Sequence, residues 1–118
     1  MLNKKAEVYE GLKKIAENVG DSYPEDFGNL PAIQYTEEEN KVHSWANNSE
    51  YESYVRYRID IWDDENTSPF ACEVDIVMSK LGLKRIQCMD VEDKSPEKHK
   101  LMRYEGIINP RNDRVTHR

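Results

Sequence analysis

The chain is poor in the features that announce a chemistry. It has two cysteines, Cys72 and Cys88, in no CxxC and no Cys/His cluster, so neither a disulfide framework nor a thiolate zinc site is written in it. We read both as reduced, buried thiols. Its five glycines are spread singly, which excludes a glycine-rich loop for cradling phosphates. No apolar run approaches the roughly 20 residues that span a bilayer, and the opening MLNKKAEVYEGLKK lacks the apolar segment of a signal peptide, so the expected location is the cytoplasm, with no membrane partner. No GxSxG elbow surrounds a serine, and His43, His99 and His117 fall in a loop, at a strand start and in the tail, where they read as exposed.

What is present is charge. Charged residues make up 34% of the 118 positions and the formal net charge is −6, which disfavours general affinity for free nucleic acid, because such binding rests on Lys and Arg displacing counterions. Residues 1–79 hold most of the acid and residues 80–118 carry a basic excess. Ordinary solvated faces are the preferred account of such an imbalance; attraction between neighbouring copies is the alternative. Two Trp, seven Tyr and clear apolar periodicity argue for one folded domain.

Residues 4–19 place Val8, Leu12, Ile15 and Val19 at helical spacing, with Gly20 where a helix would stop. DSYPEDFGNLP, residues 21–31, reads as a loop, and AIQYT, residues 32–36, as a strand. Residues 37–50 show no period and read as a long protruding hairpin loop; Trp45 within it suits an interface anchor or a ring folded back on the core. YESYVRYRIDIW, residues 51–62, is the clearest strand. Tyr51, Val55, Tyr57, Ile59 and Ile61 share one face, and Glu52, Arg56, Arg58 and Asp60 the other; Tyr54 and Trp62 interrupt that polar face, as if something covers it. Ser68-Pro69 reads as an N-cap and first helical position, and Phe70, Val74, Val77, Met78 and Leu81 carry a helix to Gly82. Residues 83–91 and 99–109 read as two more strands and PRNDRVTHR, residues 110–118, as a mobile basic tail.

The expected fold is therefore an α/β (α+β) two-layer sandwich in the order α-β-β-α-β-β: a mainly antiparallel four-stranded sheet with two helices on one face, spanning residues 1–109.

The acids Asp60, Asp63, Asp64 and Glu65 raise the question of a metal site. A two-metal nuclease needs carboxylates converging from separate elements, and Asp60 with Glu73 or Glu105 and Lys98 can be drawn that way. Asp63, Asp64 and Glu65, however, run directly into Asn66, Thr67 and Ser68, the chemistry of a helix start, where negative charge is stabilised by the helix dipole. The turn reading is preferred, with no metal, no cofactor and no catalytic residue expected.

Residues 54–82, YVRYRIDIWDDENTSPFACEVDIVMSKLG, followed by LKRIQCMDVEDKSPEKHKLMRYEGIIN, resemble the tail terminator (tail completion) proteins of tailed bacteriophages and phage-tail-like particles. The likeness spans about residues 2–109 and includes LPAIQY and the pattern of Arg103, Tyr104, Ile107 and Ile108. It implies a virion structural protein and no enzyme: a hexameric ring on the head-proximal end of the tail tube, made in the host cytoplasm, that stops tail assembly and serves head-tail joining. The implied partners are other copies of the chain, the tail tube protein, a head-tail connector or neck protein and, in contractile tails, the sheath. A ring of six would carry a formal charge of about −36, and an acidic lumen would let DNA pass without sticking. Arg56, Arg58, Arg103, Trp45, Trp62, Glu38 and Glu39 are the candidate residues for subunit or tube contacts. A connector protein is the alternative within the same setting; a small nuclease and a ligand-binding α/β domain are the alternatives outside it.

Overall fold

A computed structural model describes residues 1–46, 49–92, 95–110 and 114–116. The elements run α1 (Lys5–Lys13), β1 (Asn18–Gly20), β2 (Ala32–Ala46), β3 (Ser49–Asp63), α2 (Ser68–Lys80), β4 (Lys84–Val91), β5 (Lys98–Asn109) and β6 (Arg114–Thr116). They build one sheet in the order β1-β2-β3-β5-β4, with β6 also on β5. Every pairing is antiparallel except β1 with β2. The α+β class and the mostly antiparallel sheet agree with the sequence reading; the strand count is six among the described residues rather than four.

One face of the sheet makes the core. Ile33 and Tyr35 of β2, Val55, Tyr57, Ile59 and Ile61 of β3, and Met102 and Tyr104 of β5 pack with Val8 and Leu12 of α1 and Val74 and Met78 of α2. The period of two along residues 55–61 is thus the inner face of a central strand, as its alternation requires. Tyr51 lies outside the described side chains. Polar ends of buried tyrosines tie the layers together: Tyr57 Oη accepts the Lys4 backbone N–H at 2.7 Å, and Tyr104 Oη donates to Asp75 Oδ1 on α2 at 2.8 Å. Burial foremost, and then the Asp75 carboxylate, push the Tyr104 phenol well above the usual range.

Beyond the strand count, five departures from the sequence reading concern the elements and the cysteines. Helix α1 stops at Lys13, and Val19 and Gly20 belong to β1, which pairs in parallel with Ala32–Gln34; Ile15 and Val19 still pack against the core, so apolar spacing alone could not tell a longer helix from a turn and strand. Residues 37–46, expected as a loop, continue β2. Register shifts between Glu37/Glu39, Val42/Ser44 and Ser44/Trp45 reset the phase of the alternation three times, which erases the period that would have betrayed a strand. Ser68 is the first residue of α2 with Thr67 as N-cap, and its amide is met by Asn66 Oδ1 at 3.0 Å. Part of the tail is ordered by pairing: Ile107–Asn109 holds Arg114–Thr116 as β6; residues 111–113, 117 and 118 lie outside the described residues. Finally, Cys72 and Cys88 are exposed, because the first lies on the solvent side of α2 and the second on β4, whose residues are almost all exposed.

Gly82 closes α2 as expected, and the geometry shows why glycine is needed. Its φ is +86°, the Leu83 N–H returns to the Met78 carbonyl and the Gly82 N–H to that of Ser79, the double bond pattern of a left-handed helix stop. A Cβ there would stand 2.7 Å from the Val115 carbonyl oxygen. Gly82→Ala is therefore expected to cost on the order of 1–2 kcal/mol and to detach β6, seen as lost amide-exchange protection in residues 114–116 with the rest of the sheet intact.

Candidate interaction surface: the open sheet face and the hairpin arm

Among the described residues the second face of the sheet carries no helix, and it holds most of the charged residues singled out above. In the register of β3 with β5, Arg56 lies opposite Glu105, Arg58 opposite Arg103, Asp60 opposite Leu101 and Trp62 opposite His99. The facing pair Arg58 and Arg103 would repel if both side chains pointed at each other. They turn to different carboxylates instead. Arg58 donates from Nε to Asp60 Oδ2 at 2.9 Å and from Nη2 to Oδ1 at 3.0 Å, while Arg103 donates from Nε to Glu38 Oε1 at 2.9 Å and reaches Gln87 Oε1 on β4. Arg56 shares Glu38 at 3.3 Å and meets Glu39 at 3.1 Å. Glu38 and Glu39 are strand residues of β2, and Glu38 is the acceptor that links β2, β3 and β5.

Burial alone would push the Glu38 carboxyl up, but the Arg103 hydrogen bond and charge, joined by Arg56, hold it below the ordinary carboxylate range. A depressed folded-state pKa contributes stability above the unfolded value that is lost as pH falls through the folded one. Glu38→Gln is accordingly expected to lower stability by about 1 kcal/mol at neutral pH, with the gap to wild type closing in acid, as followed by thermal unfolding against pH. At the edge of this network Tyr54 donates to Glu105 Oε2 at 2.6 Å, and burial, followed by that hydrogen bond, pushes its phenol up to about 12.

Toward the other end of β3 the face closes over. Asp60 is 3% exposed, and its Oδ1 lies 2.7 Å from His99 Nε2. His99, read from sequence as exposed, is buried: it stacks on Trp62 with ring centroids 4.4 Å apart, because the β3–β5 register sets the two residues side by side. Trp62 is covered by Tyr23 and Phe27 of the 21–31 loop, each edge-on, which answers what hides its side of the polar face. Its indole N–H finds no acceptor among the described residues. Between this nook and Glu38 lies a groove of about 300 Å³ lined by Tyr23, Gln34, Thr36, Glu38, Arg58, Asp60, Trp62 and His99. Asp63 caps the turn instead of joining Asp60: its Oδ2 accepts the N–H groups of Glu65 and Asn66 at 3.1 and 3.0 Å. Among the described residues no three His, Cys, Asp or Glu side chains come together as metal ligands. No helix among the described residues is long and apolar enough to cross a membrane.

No protein-family model matches this chain, and no curated protein does.

The remaining candidate, Trp45, lies far from this network. Among the described residues β3 pairs with β5 only from Ser53 onward, so Val42–Ala46 and Ser49–Glu52 leave the sheet as a two-stranded arm. Trp45 is 64% exposed on it and did not fold back on the core. The arm stretches the molecule to 52 × 25 × 24 Å and its radius of gyration to 15.1 Å, against about 13.5 Å for a compact chain of this length. The seven candidates thus divide: Arg56, Arg58, Arg103, Glu38 and Glu39 form one charged surface, Trp62 is buried beside it, and Trp45 stands alone on the arm. Sequence reasoning missed Asp60 and His99 as a buried pair; the signal available was Asp60 two residues from Arg58 on the same strand face.

Proposed function

We propose that this chain is the subunit of a ring that caps the head-proximal end of a phage tail tube, stops tube growth and offers a surface for head joining. The observation that supports it most is the arm. A two-stranded ribbon with no third strand is marginal in water, and one carrying an exposed Trp and Val gains its order when a partner covers it. The charged, uncovered sheet face supports the same reading: it presents fixed guanidinium and carboxylate groups in one plane, suited to setting orientation against a second protein surface. A nuclease finds no support in the carboxylates, since Asp63 caps a turn and Asp60 is held by Arg58 and His99.

Adding the protein to polymerising tail tube protein tests the proposal. Mean tube length is expected to fall as the ratio of this chain to tube protein rises, with Trp45→Ala weakening the effect; tube lengths that ignore the protein would contradict it.

A further inference from the structure

The sheet ends on both sides in strands with one neighbour only. At one end, β4 is exposed at every residue from Lys84 to Asp90, and Ile86 and Met89 are 43% and 45% exposed. At the other end β1 pairs with Ala32–Gln34 alone, so that among the described residues β2 has no strand beyond it from Tyr35 to Ala46. This stretch carries two exposed apolar side chains of its own, Val42 and Trp45. We propose that β4 of one copy pairs with the free stretch of β2 in a second copy, head to tail, extending the sheet from subunit to subunit.

Four features favour a second copy as the occupant. The edges are chemically matched in their apolar side chains, Val42 and Trp45 on β2 and Ile86 and Met89 on β4, while the carboxylates of Glu38 and Glu39 are already taken by Arg56 and Arg103 of the same chain. Direction also fits. Alternation through β2, β3, β5 and β4 leaves β4 opposed to β2, so a copy related by rotation about an axis along the strands presents its β2 antiparallel to β4 and continues the pattern. Eight residues of β4 offer about 27 Å of ladder, and the contact gives the arm the third strand it lacks. Lastly, the two edges differ, so their contact is heterologous and propagates to a closed ring or an open chain of copies rather than stopping at a dimer. The inference deepens the ring reading, since it supplies the contact that reading requires.

The test is the sedimentation mass of the full chain, of an Ile86→Lys/Met89→Lys variant and of a Val42→Lys/Trp45→Lys variant, with circular dichroism to show that these surface changes leave the fold intact. Wild type is expected as a multimer and each variant as a single copy. An equimolar mixture of the two variants retains one good edge of each kind and is expected to form a two-copy species and nothing larger. A monomeric wild type at every concentration, a variant that keeps the wild-type mass, or a mixture that stays at one copy would overturn the edge contact. Tube capping by wild type is read separately, so copies that assemble by another surface would sink this contact while leaving the ring reading in place.

Discussion

Asp60→Ala is expected to lower stability by about 2–4 kcal/mol, measured as the midpoint of denaturant unfolding. The carboxylate is 3% exposed and accepts from Arg58 and His99 at once. Arg58 can turn back to water, since its side chain is 35% exposed, but His99 is buried against Trp62, where solvent does not readily replace the lost carboxylate. Most of the cost therefore falls on the histidine side. Asp60→Asn keeps an acceptor and the side chain's shape, so a smaller loss is expected. If Asp60 served chemistry instead of packing, both substitutions would leave stability near wild type; unchanged unfolding midpoints would contradict the structural role assigned here.

Tyr57→Ala is expected to cost more, about 3–5 kcal/mol, because it empties a fully buried aromatic site at the centre of β3. The hydroxyl has a separable task. It receives the Lys4 N–H just before α1, in a segment also held by the Leu2 N–H on Ser53 Oγ at 3.0 Å and by Asn40 Nδ2 on the Leu2 carbonyl at 2.7 Å. Burial, which outweighs the Lys4 hydrogen bond, keeps the phenol neutral far above the usual range. Tyr57→Phe fills the same volume but leaves that amide unmet, so a loss of about 1–3 kcal/mol is expected, with exchange protection falling first in α1. Equal losses for Ala and Phe would contradict this division of labour.

The parts of the fold that could be read in advance are those whose pattern answers to one physical cause. The alternation of residues 55–61 marks a strand with one buried face, and Pro69, the 70–81 apolar spacing and Gly82 mark a helix between a rigid start and a left-handed stop. Elsewhere two causes overlapped. In β2 the register shifts scramble the alternation, and acidic residues that look like loop surface are strand residues paired with arginines. β4, expected as a strand over residues 83–91, is one over Lys84–Val91, although both its faces are exposed and it carries no apolar stripe. The buried Asp60–His99 pair is invisible from spacing because 39 residues separate its members and only the β3–β5 register unites them. The charged surface was legible in part: Arg56, Arg58 and Arg103 fall on strand faces by period alone, but that their first partners are Glu38, Glu39 and Asp60 of the same chain depends on the sheet order.

That internal pairing bears on assembly. The acidic front and basic back of the chain already meet across Glu38 and Arg103 and across Asp75 and Arg85. Contacts between copies would therefore draw on what the fold leaves over, namely the arm and the two sheet edges. The most direct measurement is negative-stain electron microscopy of the purified protein, alone and mixed with tail tubes of the same source. The account predicts ring-shaped particles or caps confined to one end of each tube. Tubes with both ends bare and no rings at any protein concentration would contradict it.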